Sequence, residues 1–168
     1  LIVDLIPSAE MVKFAKNGSN VTTAAVKISR AYTGNDYVCF PRQHPFFSFD
    51  DWFIGKTPLT RGIPKAYKDL SLFFDFNDLS SLEKHFEEHN GQIACVIMEP
   101  VTTISPCHSE CCKAKSHTEK CADCPNNKTN FLHKVRELCH KNNSLFILDE
   151  MITGFRWHLQ GAQTWFGI

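Results

Sequence analysis

Short apolar runs alternate with amphipathic segments along this chain, a pattern typical of a parallel sheet with helical crossovers. Two runs, Ile93–Met98 and Leu145–Leu148, are apolar at every position, which indicates strands buried on both faces. The predicted strands are residues 11–15, 37–40, 72–76, 93–98 and 145–148. The predicted helices are residues 22–31, 65–70, 79–89 and 130–142. In the first helix, the expected buried stripe is Ala24, Ala25, Ile28 and Ala31.

Polar residues follow three of these predicted strands, at the edge of a parallel sheet where ligands bind. Gly18-Ser19 follows the first strand and begins a helix, Glu99-Pro100 follows the fourth, and Asp149-Glu150 follows the fifth. Backbone N–H groups at a helix start bind anions, and glycine there lets a phosphate approach closely. A carboxylate at a strand end can hold a cationic ring nitrogen, as pyridoxal phosphate (PLP) requires. The alternative is that these residues are only turns and helix caps.

Composition narrows the function classes. The 168 residues are 43% hydrophobic and 21% charged, which indicates a globular chain and not a disordered one. Lys plus Arg and Asp plus Glu both number 18, so bulk charge does not favour nucleic acid as a partner. No apolar run approaches the roughly 20 residues that span a bilayer, so no membrane partner is expected. The aromatic residues between 43 and 64 favour packing over a stacking platform.

The sequence resembles class III PLP-dependent aminotransferases, with glutamate-1-semialdehyde 2,1-aminomutase-like members nearest. Residues 17–22, 31–36, 51–55, 98–101 and 148–156 carry the resemblance. The most specific run begins at Asp149 and reads Asp-Glu-x-x-Thr-Gly-Phe-Arg. The resemblance implies part of a fold-type-I large domain, mainly parallel, made of residues 1–101 and 130–168. Residues 102–129 would then be a Cys-rich insertion.

The family's phosphate loop falls on Gly18, Ser19 and Asn20 in this chain. The usual family sequence there is Gly-Ser/Thr-Glu-Ala, so Asn20 and Val21 depart from it and one carboxylate is lost. Phosphate binding by backbone N–H groups survives this change.

Other residues implied by the resemblance surround the ring of the cofactor. Asp149 would pair with the pyridine nitrogen, and Met151 would pack against one ring face. Phe46 would stack on the other face without the hydroxyl of the usual tyrosine, and Phe47 would replace a histidine. Glu99 would lie near the site.

The resemblance also implies parts that this chain lacks. The family's Schiff-base lysine lies beyond the last matching motif, and no lysine here falls on that motif. The family sheet is expected in the order a-g-f-d-e-b-c, of which this chain supplies candidates for strands a to e. We therefore expect an incomplete cofactor domain, a fragment of a longer homodimeric enzyme, with little activity of its own. Its substrates would be small amino donors and acceptors.

Five cysteines cluster in the predicted insertion, with His108 and His117 between them. They are Cys107, Cys111, Cys112, Cys121 and Cys124. Cys-x2-Cys is a common half of a tetrahedral zinc site, so this spacing predicts structural zinc. Disulfides or a loop of free thiols are the alternatives. The isolated Cys39, Cys95 and Cys139 are expected to be buried, and this cysteine usage indicates a reducing, cytosolic compartment.

Two functions remain open at this point. The first is an aminotransferase or aminomutase, favoured by Glu99 and Asp149. The second is an inactive relative that binds partners through a zinc-binding insertion, favoured by Asn20 and Phe47. His44 is a candidate cofactor neighbour. Four further histidines are expected to be solvated, namely His85, His89, His133 and His140.

Overall fold

The computed structural model of the protein describes residues 1–44, 46–106 and 130–168. Within these ranges, four parallel strands form one sheet with helices packed on both faces. The strands are β1 (Tyr37–Pro41), β2 (Ser71–Phe74), β3 (Ile93–Met98) and β4 (Leu145–Leu148). Their spatial order is β2-β1-β3-β4, and every neighbouring pair is parallel. The predicted α/β class is confirmed.

Seven helices lie in the described ranges. They are α1 (Ile2–Leu5), α2 (Gly18–Thr33), α3 (Asp51–Ile54), α4 (Lys65–Asp69), α5 (Leu79–Glu88), α6 (Phe131–Lys141) and α7 (Ala162–Phe166). None of these described helices has the length and apolar character needed to cross a bilayer. The two longest helices each begin at an asparagine whose side chain caps the first turn. The Asn17 side chain accepts a hydrogen bond from the Asn20 amide, and Asn130 caps α6 in the same way.

The central strands divide their side chains between two cores. In β1, Val38 and Phe40 face the core that contains α2 and the segment 46–54, while Cys39 faces the core built on α5 and α6. This alternation is the period-two geometry of a strand buried on both faces. All six residues of β3 are buried, whereas β4 is only partly buried along its length. The sheet thereby holds the carboxyl ends of β3 and β4 side by side.

Two expectations about the sheet are wrong. Residues 11–15 are not a strand, and Met11 and Phe14 are exposed because no described strand pairs with them. The expected order would place residues 145–148 between 93–98 and 37–40. Instead, β1 pairs directly with β3, and β4 pairs with the other side of β3. The fully apolar β3 takes one of the two central positions, where it has a neighbouring strand on each side.

The buried stripe of α2 also differs from the prediction. It consists of Thr22, Thr23, Val26 and Ser29, whereas Ala24, Ile28 and Ala31 are exposed. The Ser29 hydroxyl donates to the Ala25 carbonyl oxygen, so burying these small polar residues leaves no unpaired hydroxyl.

His133 was expected to be solvated but is buried, with Nε2 lying 3.0 Å from the Phe166 carbonyl oxygen. This bond supplies the polar partner that a buried ring nitrogen needs.

Candidate functional site

The carboxyl ends of β3 and β4 bring two acidic residues together. Met98 is paired with Leu148, so Glu99 and Asp149 are the first residues beyond adjacent strands. The Asp149 amide donates a 2.9 Å hydrogen bond to the Met98 carbonyl oxygen, which continues the ladder to this point. The expected proximity of these carboxylates at one sheet edge is therefore confirmed.

The electrostatics of this pair favour a proton or a cation. Glu99 is 6% exposed, and burial together with the charge of Asp149 raises its pKa to about 7. Burial also raises the pKa of Asp149, while the hydrogen bond donated by the Met151 amide lowers it. No Lys or Arg in the described ranges forms a salt bridge with either carboxylate.

The turn after β4 contacts the start of α2. A Cβ added at Gly18 would lie 2.5 Å from Met151 Cε, so the methionine tip occupies the space beside this glycine. The Met151 amide in turn donates a 2.9 Å bond to the Asp149 carboxylate. The structure therefore brings Gly18 next to a turn that holds two other predicted site residues, Asp149 and Met151, which are far from it in the sequence.

The start of α2 is held by the aromatic segment, which we define as residues 46–53. The Phe49 amide donates to Ser19 Oγ at 3.3 Å, and the Thr22 hydroxyl donates to the Phe47 carbonyl oxygen at 2.8 Å. The Ser19 hydroxyl thus has a structural partner, and the Asn20 amide is used by the Asn17 cap. The first amides of a helix have no partner within the helix, so the N–H groups of Gly18 and Ser19 are the candidates for anion binding, and phosphate binding there stays a prediction.

Most of the aromatic segment is core, as the packing interpretation predicted. Phe47, Trp52 and Phe53 are buried, and Trp52 Nε1 donates to the Thr23 hydroxyl at 3.0 Å. Phe46 is 43% exposed and makes an edge-to-face contact with Phe53. Stacking of Phe46 on a cofactor stays a prediction.

His44 lies beside Glu99 in a buried position. Its Nδ1 accepts a 3.1 Å hydrogen bond from the Glu99 amide. Burial lowers the pKa of His44 to about 4, so the ring is neutral and Nε2 carries the proton. That Nε2 atom is buried without a partner in the described ranges. The contact joins residues separated by 55 positions, and no local pattern in the sequence indicates it.

Glu150 caps a helix, which the sequence predicted only as the alternative to ligand binding. Its carboxylate accepts hydrogen bonds from the backbone amides of Ala162 and Gln163, which begin α7. The Thr153 hydroxyl donates to the same carboxylate at 3.2 Å. The capping interpretation of Asp149-Glu150 is thus confirmed for Glu150, on a helix that begins 12 residues later. Asp149 remains available at the sheet edge.

The predicted zinc ligands fall in the part of the chain that the structure does not describe. Cys107, Cys111, Cys112, Cys121 and Cys124 lie outside the described residues. The other three cysteines are buried and free, as predicted.

Comparison with known proteins identifies relatives over the whole chain, although no family model matches it. The chain is 33% identical over 178 residues to the glutamate-1-semialdehyde 2,1-aminomutase of Wigglesworthia glossinidia brevipalpis. This alignment covers 100% of the chain and 37% of that relative, so the chain spans little more than a third of its length.

Solved structures share the fold. An omega-transaminase from Sphaerobacter thermophilus matches with a TM-score of 0.74 and 23% identity, over 99% of this chain and 37% of that one. A PLP-bound form of the FumI protein from Sphingopyxis sp. MTA144 matches with a TM-score of 0.75 and 24% identity, over 99% and 36%. The family resemblance and the fold type inferred from the sequence are confirmed.

Proposed function

We propose that this chain, a relative of glutamate-1-semialdehyde 2,1-aminomutases and class III aminotransferases, forms the cofactor-binding core of an enzyme that moves an amino group. The cofactor is PLP, and the substrate is an amino acid or an amino-aldehyde. Transfer between molecules and migration within one molecule are both included. Because the chain spans about 37% of the curated relative, the activity proposed is that of the whole protein.

The observation that carries this proposal is the position of Asp149 beside Glu99, with Met151 against Gly18. Two neighbouring carboxylates without a Lys or Arg partner in the described ranges suit a cationic ring nitrogen. The start of α2 suits a phosphate because its first N–H groups and the helix dipole attract anions. The residues present therefore fit the charges at both ends of PLP.

Each residue has a definite task in this proposal. When bound, PLP supplies an electron sink for the carbon that bears the amino group. Asp149 holds the proton on the ring nitrogen, and the Gly18 and Ser19 amides bind the phosphate. Met151 and Phe46 cover the ring faces and exclude water. Neutral His44 fixes the backbone of Glu99 through the bond from the Glu99 amide.

Departures from the family limit what these residues can do. Asn20 supplies no carboxylate at the phosphate loop, and Phe46 supplies no hydroxyl. No lysine of this chain falls on the family's Schiff-base motif, so the covalent step is not assigned to a residue here. The positioning of the cofactor is assigned to Gly18, Ser19 and Asp149.

Measurement of PLP affinity for wild-type and Asp149→Asn full-length protein tests the proposal. We expect the variant to bind PLP about tenfold or more weakly, because a charge-assisted hydrogen bond is lost. Asp69→Asn, at an exposed position at the end of α4, is the control and should bind like wild type. Equal affinity in all three proteins, or no PLP binding by wild type, would contradict the assignment. Transfer or migration of an amino group, catalysed by the loaded protein, then distinguishes an enzyme from an inactive binding relative.

Zinc, assembly and location form the remaining part of the proposal. The Cys-x2-Cys spacing supports a structural zinc site in residues 102–129, and metal analysis of the purified protein tests it. The family resemblance supports a homodimer, which sedimentation tests. The cysteine usage supports a reducing, cytosolic location, which fractionation tests.

A further inference from the structure

Three metal-ligating side chains meet at the end of α5. His85, Glu88 and His89 each offer one ligand atom, and these atoms lie within 4.8 Å of one another. Their spacing of three and four residues places them on one side of the helix end. Both histidines were expected to be solvated but are half-buried, and their spacing on a predicted helix was a usable signal.

His85 has the hydrogen-bonding arrangement of a metal ligand. Its Nε2 lies 2.7 Å from the Phe73 carbonyl oxygen, and since a carbonyl only accepts, Nε2 carries the proton. In the neutral ring, Nδ1 then presents a lone pair. This Nδ1 is buried and has no partner in the described ranges. Metal-bound histidines commonly donate their other ring N–H to a backbone carbonyl in this way.

His89 is positioned by a second strand. Its ring stacks on Tyr37 at a centroid distance of 4.2 Å and an interplanar angle of 30°. The His85 and His89 rings are themselves 6.5 Å apart and inclined by 28°. The two imidazoles are thus held by β2 and β1 respectively, which reduces the ordering needed to bind an ion.

The carboxylate of Glu88 is the third candidate ligand. Its ion pair with Lys84 is 3.7 Å long and exposed, and such pairs contribute little. Bonds of about 2.1 Å in a tetrahedral site place ligand atoms about 3.4 Å apart. The widest separation therefore has to close by at most about 1.4 Å, which small rotations of these side chains provide.

We propose that His85, Glu88 and His89 form a binding site for a zinc-class divalent cation, with water as the fourth ligand. Two imidazoles and a carboxylate suit zinc and its transition-metal neighbours better than Mg²⁺ or Ca²⁺, which prefer oxygen ligands. The site is distinct from the carboxylate edge, because Tyr37 begins β1 and pairs with Ile93, the first residue of β3. A bound ion would hold together the side chains of the last turn of α5.

Zinc titration of the full-length protein, with a chromophoric chelator as competitor, tests this site. Background zinc binding is removed by changing to serine the five cysteines Cys107, Cys111, Cys112, Cys121 and Cys124. We expect one zinc ion per chain in this background. His85→Gln and His89→Gln should each weaken binding by about 100-fold or more, beyond the 10–100-fold effect of outer-shell changes. Glu88→Gln should weaken it less, because the two imidazoles remain.

His140→Gln, at an exposed histidine of α6, is the matched control and should leave zinc affinity unchanged. Circular dichroism verifies that each variant is folded. If the cysteine variant does not fold, Co²⁺ spectra of the otherwise unaltered protein replace it, since thiolate charge-transfer bands separate the two sites. Zinc affinity that is absent, or equal in the His85, His89 and His140 variants, would overturn the proposal.

Discussion

Replacing Glu99 with glutamine tests the electrostatics of the strand ends directly. In the folded protein the pKa of Glu99 is about 7, compared with an ordinary value of 4.5. Between these two values the folded state binds more protons than the unfolded chain, so its free energy of unfolding falls as the pH rises. This loss of stability is absent below about pH 4.5 and complete above about pH 7.

The size of this penalty follows from the two pKa values. Their difference of about 2.5 units corresponds to about 3 kcal/mol, at 1.36 kcal/mol per unit. Glutamine carries no charge at any pH, so Glu99→Gln should unfold with a free energy up to about 3 kcal/mol higher than wild type at pH 8. At pH 4 the two proteins should be nearly equal. Urea unfolding without PLP, measured from pH 4 to pH 8.5, gives the comparison.

Glu137→Gln on the exposed face of α6 is the control and should leave the pH dependence unchanged. Asp149→Asn should narrow the pH range over which the free energy of unfolding falls, because the charge of Asp149 contributes to the raised pKa of Glu99. Identical pH slopes for wild type and Glu99→Gln would refute the burial of a carboxyl at this strand end.

Two further substitutions test the packing around the site by urea unfolding. Gly161→Ala should cost about 1–3 kcal/mol, since Gly161 has φ +89° and an added Cβ would lie 2.7 Å from Glu150 Oε1. Gly91→Ala, with φ +68° and open space, should cost only about 1 kcal/mol, and equal costs would exclude the clash with the carboxylate. Thr23→Val should cost about 1–3 kcal/mol because it leaves the buried Trp52 Nε1 without its acceptor. A Thr23→Val protein as stable as wild type would show that this bond is replaced.

The sheet was largely predictable because its strands are continuous apolar runs between clear helix signals. Ile93–Met98 and Leu145–Leu148 were predicted with their observed bounds, and the other two strands within two residues. The strand predicted at residues 11–15 was wrong because local apolar character does not supply a hydrogen-bonding neighbour. Strand order failed for a related reason: pairing depends on contacts between distant segments, which a local pattern does not contain.

The candidate site was predictable where it follows from topology. Parallel strands place their carboxyl ends at one edge, so Glu99 and Asp149 were expected together. The contacts that support them were not predictable, since the His44 bond to the Glu99 amide spans 55 residues. The buried hydroxyls of α2 were missed because a search for apolar stripes excludes threonine. For Thr22 and Thr23, the aromatic segment supplies hydrogen-bond partners that sequence periodicity does not reveal.

The reactivity of the three buried cysteines can be used to measure how often the centre of the fold opens. Cys39 and Cys95 lie in β1 and β3, Cys139 lies in α6, and all three are fully enclosed. Burial raises the pKa of Cys95 to about 12 and also raises the pKa of Cys39 and Cys139. The thiolate is the form of cysteine that attacks alkylating reagents, and these buried thiols are neither accessible nor ionised while the fold is closed. The rate at which these thiols are alkylated therefore measures how often the centre of the sheet is exposed to solvent.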